Sequence, residues 1–265
     1  MKFRTKKMNN TNELFDVVVV GGGINGAGTA ADAAGRGLKV LLCEQNDLAS
    51  ATSSNSSKLI HGGLRYLEHY EFKLVRQALA EREVLLKNAP HIITPLTFRL
   101  PHQRHLRPSW MIRAGLFLYD NLAKRITLPA SKGVKFSEDC PLVNNITKGF
   151  EYSDGWVDDA RLVVLNAVAA QEKGATIKTQ TKCIKAIRQN DIWLITLENN
   201  LTGETYQVKS KSVVNASGPW VAELFSQAMA LKSPQNVRLI KGSHIVVPRI
   251  HDDPEAYMLQ NIDQR

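Results

Sequence analysis

Gly21, Gly23 and Gly26 follow the Gly-x-Gly-x-x-Gly spacing, with Gly22, Ile24 and Asn25 filling the turn. They close a β-branched run, Asp16 to Val20, and open an alanine-rich one. Backbone this bare can turn tightly, approach a diphosphate at a helix N-terminus and let helix pack closely on strand. Glu44 stands about 20 residues further on, where a carboxylate accepts hydrogen bonds from an adenosine ribose and repels a 2′-phosphate. NADP is therefore disfavoured, but the motif does not separate NAD from FAD.

Next comes a hydroxyl-rich stretch, Ala51 to Ser57, that runs into Lys58, Leu59, Ile60, His61, Gly62, Gly63, Leu64, Arg65 and Tyr66. The hydroxyls of Ser53 and Ser54 and the amides around them can bind diphosphate and ribityl oxygens. Gly62-Gly63 lets backbone lie flat against a ring. On composition alone a flexible serine linker is the alternative. His102 and His105 have no carboxylate or cysteine nearby to complete a metal site, and no metal is assigned.

Positioning such groups takes a βαβ unit. A strand over 16–20, buried on both faces, leads through the glycine turn into a helix that closes at Gly35 or Gly37, and then into a strand over 39–43. Residues 48–58 read as loop and 71–89 as helix. Pro90, Pro95, Pro101, Pro108, Pro129 and Pro141 then break the chain into short segments, the texture of an inserted cap. The span Arg104 to Arg125, with Trp110, Met111, Ile112, Leu116, Phe117, Leu118, Tyr119 and Leu122 between basic residues, reads as a helix buried in that cap, with an anionic bilayer surface as the alternative. A helix from Asp158 or Asp159 to Gly174 precedes strands near 175–188, 192–198 and 204–210, an antiparallel meander. A further short strand over Val213 to Ala216 turns at Ser217-Gly218 into a helix near Pro219. A last strand is expected over Val237 to Val247.

The 265 residues, 43% hydrophobic and 22% charged, belong to a globular chain with a sizeable core rather than a disordered one. Absence of an 18-residue apolar run and of a secretory signal predicts a chain that starts in the cytosol. Cys43, Cys140 and Cys183 are too scattered for a disulfide framework and are expected as reduced, mostly buried thiols. A formal net charge of +9 favours phosphates, nucleic acid or an anionic membrane face. Four of those charges, Lys2, Arg4, Lys6 and Lys7, read as a solvated tail.

The stretch after Glu44, with HGGLRYLEHYEF, ALAEREVLL, FRLPH, FEYSDGWVDDARLV, VVNASGPW and IKGSHIVVP, resembles the FAD-dependent glycerol-3-phosphate dehydrogenase family, from about Asp16 to the end of the chain. The resemblance implies an α/β fold, Rossmann-like and FAD-binding, of the glutathione-reductase and D-amino-acid-oxidase type, with an interleaved, truncated cap or substrate domain. It implies FAD-binding segments at 14–89 and 158–230, a cap segment at 90–157, and the start of a substrate domain at 231–265. It places Gly21 to Gly26 on the diphosphate, Glu44 on the adenosine ribose, and Ser53, Ser54, Lys58, Leu59, His61, Gly62 and Gly63 along the cofactor. Cys183 matches a position whose backbone meets the adenine. Ala216-Ser217-Gly218 matches an alanine-threonine-glycine turn, with serine keeping the hydroxyl.

By the same resemblance Arg65 and Tyr66 lie on the substrate side of the flavin, where a guanidinium offers a bidentate fork to a phosphate or alkoxide. Without it Arg65 reads as an ordinary surface ion pair. His244 could assist proton transfer from a substrate hydroxyl. The implied reaction oxidises sn-glycerol 3-phosphate to dihydroxyacetone phosphate and passes electrons to a quinone, peripherally on the inner face of the cell membrane. Nucleic acid is not an implied partner; a homodimer or a complementing C-terminal half is. Family members continue past Arg265, so the chain is expected to be an N-terminal portion. A glycerol-3-phosphate oxidase using oxygen and a silent FAD-binding fragment are the competing readings.

Overall fold

The computed structural model describes residues 13–137, 140–143, 145–235, 237–240 and 242–260. Lys2, Arg4, Lys6, Lys7 and Lys241 lie outside the described residues. The chain forms two compact units, one from Met1–Ser56 and Asp159–His244 and the other from Ser57–Asp158 and Ile245–Arg265. The changeovers thus fall after Ser56, Asp158 and His244, whereas the resemblance placed the first near residue 89 and the last near 230. Residues 57–89 belong with the second unit because their apolar side chains, Val75 and Leu79 among them, pack into its core.

In the first unit, β1 (Leu14–Val20) pairs in parallel with β2 (Val40–Cys43) across α1 (Ile24–Gly35). Successive β1 side chains alternate faces. Val19 packs with Ala27, Ala30 and Ala33 of α1, while Val18 and Val20 enter a second apolar cluster with Ile195, Leu197 and Val208. Both faces are covered, which is why the run is apolar throughout. α1 ends in a Schellman turn: Gly37 takes φ +80°, Gly37 N–H donates to Ala34 O and Leu38 N–H to Ala33 O. α4 (Asp159–Glu172) lays Val163, Ala167 and Ala170 against the alanine face of α1.

The single strand expected over 175–188 is two, β7 (Thr176–Lys178) and β8 (Thr181–Gln189), separated by Gln180 at φ +52°. β9 (Ile192–Asn199) and β10 (Thr205–Asn215) complete the antiparallel meander, and the sheet order is β7-β2-β1-β10-β9-β8. The separate strand expected over Val213 to Ala216 is instead the second half of β10. That strand pairs antiparallel with β9 over Thr205–Ser210 and parallel with β1 onward to Asn215. A helical turn at residues 218–228 follows it.

The second unit holds a sheet of β3 (Leu59–Ile60), β4 (Ile93–Pro101), β6 (Lys148–Val157) and β11 (Ala256–Tyr257) in the order β11-β4-β6-β3, with β5 (Lys132–Lys135) also on β6. The prolines do not shorten β4 as expected. Pro95 lies opposite Gly155 on β6, while β11 covers only Phe98 and Arg99 on the other edge, so the missing N–H faces no ladder. α2 (Phe72–Asn88) and α3 (Ser109–Asn121) pack on this sheet through Val75, Leu79, Leu116 and Tyr119. Trp110 and Phe117 on the far side of α3 are exposed. No helix among the described residues is long and apolar enough to cross a membrane.

The strand expected over Val237 to Val247 is irregular and exposed at every described position, Val246 completely so. β-branched residues favour a strand only where a ladder and a packed face receive them, and no strand among the described residues pairs there. His102 and His105 each bond a backbone carbonyl, of Arg107 and Gln260.

Cys43 and Cys183 are buried and Cys140 is half-exposed. Burial pushes the Cys183 thiol up to about 11 and the Cys43 thiol well above its ordinary value. Thiolate is the reactive species. A disulfide exchange reagent at pH 8 should therefore titrate one thiol of the folded chain quickly and the other two only after denaturation; three fast thiols would contradict the packing of β2 against β8.

Candidate functional site

The glycine turn is shaped by contacts that leave no room for a side chain. A Cβ on Gly26 would stand 1.9 Å from Gly21 O, and one on Gly21, whose φ is +115°, would stand 2.4 Å from Ala216 O. Gly21 N–H donates to Cys43 O and Ala216 N–H to Val20 O, so the ends of β1, β2 and β10 are tied together at the turn.

Glu44 leaves β2 with its carboxylate turned back onto this turn. Gly22 N–H donates to Oε2 at 2.7 Å and Asn46 N–H to Oε1 at 2.8 Å. A carboxylate offers about four acceptor positions, so roughly two remain for hydroxyls of a ligand. Ser53 Oγ accepts the Ile24 N–H at 2.9 Å and stands in for a cap on α1, where Gly23 supplies none. The amides of Asn25 and Gly26 complete that first turn, whose dipole favours an anion.

Around these groups lies a cleft of about 540 Å³, lined by Gly21, Gly23, Glu44, residues 49–53, Thr181 to Ile184, Ala216 to Trp220, Glu223, Leu224, Gln227 and Ala228. Its size suits a small organic ligand. Along the wall at Thr181 to Ile184 the β8–β9 register slips between Cys183, which pairs with Leu197, and Lys185, which pairs with Thr196, a bulge that leaves Ile184 out of the ladder. Turn, carboxylate and bulged strand together can hold a diphosphate, a ribose and a flat base in sequence. Of the residues expected here, Gly21 to Gly26, Glu44, Ser53, Ser54, Cys183, Ala216 and Gly218 all belong to this unit.

Lys58, Leu59, His61, Gly62, Gly63, Arg65 and Tyr66 belong to the second unit, and His244 is the last residue of the first, exposed and irregular rather than in a strand. His61, Arg65 and Tyr66 are exposed, whereas Gly62 and Gly63 are buried. The two glycines serve packing: a Cβ on Gly62 would meet Leu79 Cδ2 at 2.2 Å, and Gly63, at φ +74°, starts the helical turn Leu64–His69 that carries Arg65 and Tyr66.

Beneath this loop lie three buried polar groups, of which the sequence reading named Tyr119 only as part of a buried cap helix and did not single out Arg82 or Asp154. Arg82, Tyr119 and Asp154 are each at most 3% exposed. Asp154 Oδ1 accepts from Arg82 Nη1, from the Tyr119 hydroxyl at 2.8 Å and from Gly62 N–H at 3.3 Å. Gly62 N–H also reaches the Tyr119 oxygen at 2.8 Å. Burial, then the neighbouring carboxylate, pushes the Tyr119 hydroxyl far above its ordinary value and keeps it protonated. A signal was present: Val75, Leu79, Arg82 and Leu86 share one helical face, so a guanidinium occupies a core position.

Residues 16–265 match the model of the family described as FAD dependent oxidoreductase. Over 253 residues the chain is 63% identical to glycerol-3-phosphate dehydrogenase of Pseudomonas tolaasii, covering 96% of this chain and 49% of that protein. It is 56% identical to D-erythritol 1-phosphate dehydrogenase of Brucella abortus, covering 96% and 51%. The chain thus spans about half the length of the relatives it matches. The crystal structure of glycerol-3-phosphate dehydrogenase from Bacillus halodurans in complex with FAD superposes with a TM-score of 0.58 at 32% identity, covering 80% of this chain and 36% of that one.

Two glycines of α1 separate the demands of the turn from those of the helix. Gly28 has nothing within 4 Å of an added Cβ, so Gly28→Ala should stabilise the chain by about 0.5–1 kcal/mol. Gly26→Ala forces the turn off the helix and should cost at least about 1–3 kcal/mol. Urea unfolding of both variants checks this, and equal midpoints would mean that the contact between Gly21 and Gly26 is absent.

Proposed function

Because the chain belongs to the FAD dependent oxidoreductase family, we propose that the cleft of its first unit holds the ADP half of FAD and that the protein oxidises a phosphorylated polyol. The observation that carries the reading is the turn at Gly21 to Gly26 with the Glu44 carboxylate folded onto it, which supplies anion and hydroxyl partners in the order a dinucleotide needs. In this reading the first turn of α1 faces the diphosphate, Glu44 the adenosine ribose, and the backbone of Cys183, beside the bulge, the adenine. Lys58, Leu59, His61, Gly62 and Gly63 serve the flavin half. Bound FAD supplies a hydride acceptor for an alcohol carbon.

The substrate we propose is sn-glycerol 3-phosphate, converted to dihydroxyacetone phosphate, and its support is the name that relatives at 60% to 63% identity carry. Arg65 and Tyr66 would hold the phosphate or the reacting oxygen, and His244 would take the hydroxyl proton. A second reading, D-erythritol 1-phosphate, is favoured by the relative that carries that name at 56% identity. A quinone as the final acceptor rests on the family resemblance. Peripheral contact with an anionic membrane draws support from exposed Trp110 and Phe117 on α3, with Lys124 and Arg125 beyond its end.

Titration of the purified chain with FAD should be saturable. Hydrogen bonds to a charged partner contribute about 1.5–3 kcal/mol, so Glu44→Ala should weaken binding roughly 10- to 200-fold. Saturable NAD binding with no flavin binding would overturn the cofactor. Perturbation of the flavin spectrum by glycerol 3-phosphate at lower concentration than by erythritol 1-phosphate is the expected order, and the reverse order selects the second substrate.

A further inference from the structure

We propose that Arg82, Tyr119 and Asp154 are positioning residues that set the direction of Arg65 and Tyr66 by clamping the backbone at Gly62. The proposal rests on the reading above that Arg65 and Tyr66 face the substrate. β3 pairs with β6 only at Leu59–Trp156 and Ile60–Gly155. One step further the ladder stops, and the side chain of the next β6 residue, Asp154, takes the Gly62 N–H instead of a main-chain carbonyl. The Tyr119 hydroxyl shares that N–H and donates in turn to the same carboxylate oxygen. Arg82 holds Asp154 from behind and also reaches Ser153 O at 3.2 Å.

The chain on either side of Gly62 turns outward. His61 is exposed, and Gly63 enters the left-handed conformation that starts the helical turn bearing Arg65 and Tyr66, both exposed. A rotation at Gly62 would therefore swing both side chains, because nothing but Gly63 separates the clamp from that turn. An ordinary core would fill this place with apolar side chains, since a buried ion pair is often no more stable than its apolar replacement. Here the polar groups provide acceptors for one specific N–H that has left its ladder, and the space they enclose admits no Cβ at residue 62.

Tyr119→Phe keeps the ring in its cluster and removes one hydroxyl, while Asp154 stays paired with Arg82, so the variant should fold. Amide exchange should quicken about tenfold at Gly62 to Tyr66 and stay unchanged across Val75 to Leu86. In the FAD-loaded chain, the dissociation constant for glycerol 3-phosphate, read from the flavin spectrum, should rise about 3- to 10-fold. The same substitution should add nothing in a background that carries both Arg65→Ala and Tyr66→Ala. A merely structural role would weaken binding equally in both backgrounds, and that result would overturn the proposal. If the wild-type chain shows no flavin or substrate response, the functional reading fails, and the exchange arm still decides: unchanged exchange at 62–66 refutes the clamp, and local quickening upholds it.

Discussion

Close passage of three backbone segments governs the first unit. Gly21 runs between Ala216 and Gly26 at separations that no Cβ could survive, and this fixes how near α1 begins to the ends of β1 and β10. From that approach follows the rest: the first turn of α1 reaches the cleft, Glu44 can fold its carboxylate back onto Gly22, and Ser53 can cap Ile24. A methyl group at either glycine would separate elements that the site needs within hydrogen-bonding distance. The alanine face of α1 answers the same demand on its other side, where small side chains let α4 approach.

What was legible in the sequence was local. The βαβ unit, the glycine turn, Glu44 and a left-handed glycine cap at residue 35 or 37 each follow from residue type and spacing nearby, and the structure puts that cap at Gly37. What was not legible depended on partners distant in sequence. β10 reads as two strands because its apolar character changes where its neighbour changes from β9 to β1, and no local pattern announces a single strand serving both. Pro95 argued against a long strand, yet it sits where β4 has no second neighbour. Val237 to Val247 shows the converse, a strong strand composition with no ladder to join. The resemblance carried the first segment to residue 89, whereas the apolar face of the helix that ends there packs with the sheet of the second unit.

The two units fix the placing of their loop backbone differently. In the first, bare glycine backbone meets bare backbone, and precision comes from exclusion of volume. In the second, the loop at His61 to Tyr66 is held by an ion pair and a phenol that are almost completely buried, Arg82 retaining an Nε with no partner among the described residues. Desolvation of that guanidinium is costly, and the Asp154 carboxylate that offsets it is the same group that receives Gly62. Charge compensation and loop placement thus meet at Asp154 Oδ1, which shares the Gly62 N–H with the Tyr119 hydroxyl.

β10 joins β1 across 195 residues of sequence, as the pairing of Asp16 with Lys211 also reflects. On a ribosome adding about 5–20 residues per second, the second strand of that pair emerges roughly 10–40 s after the first. During this interval β1, α1 and β2 can form their own unit, but one edge of β1 stays open and its face toward the meander lies uncovered. The central strand of the nascent chain is thus an adhesive surface awaiting its own C-terminal neighbour, and the protein's solubility during synthesis depends on whatever shields that edge until Thr205–Asn215 arrives.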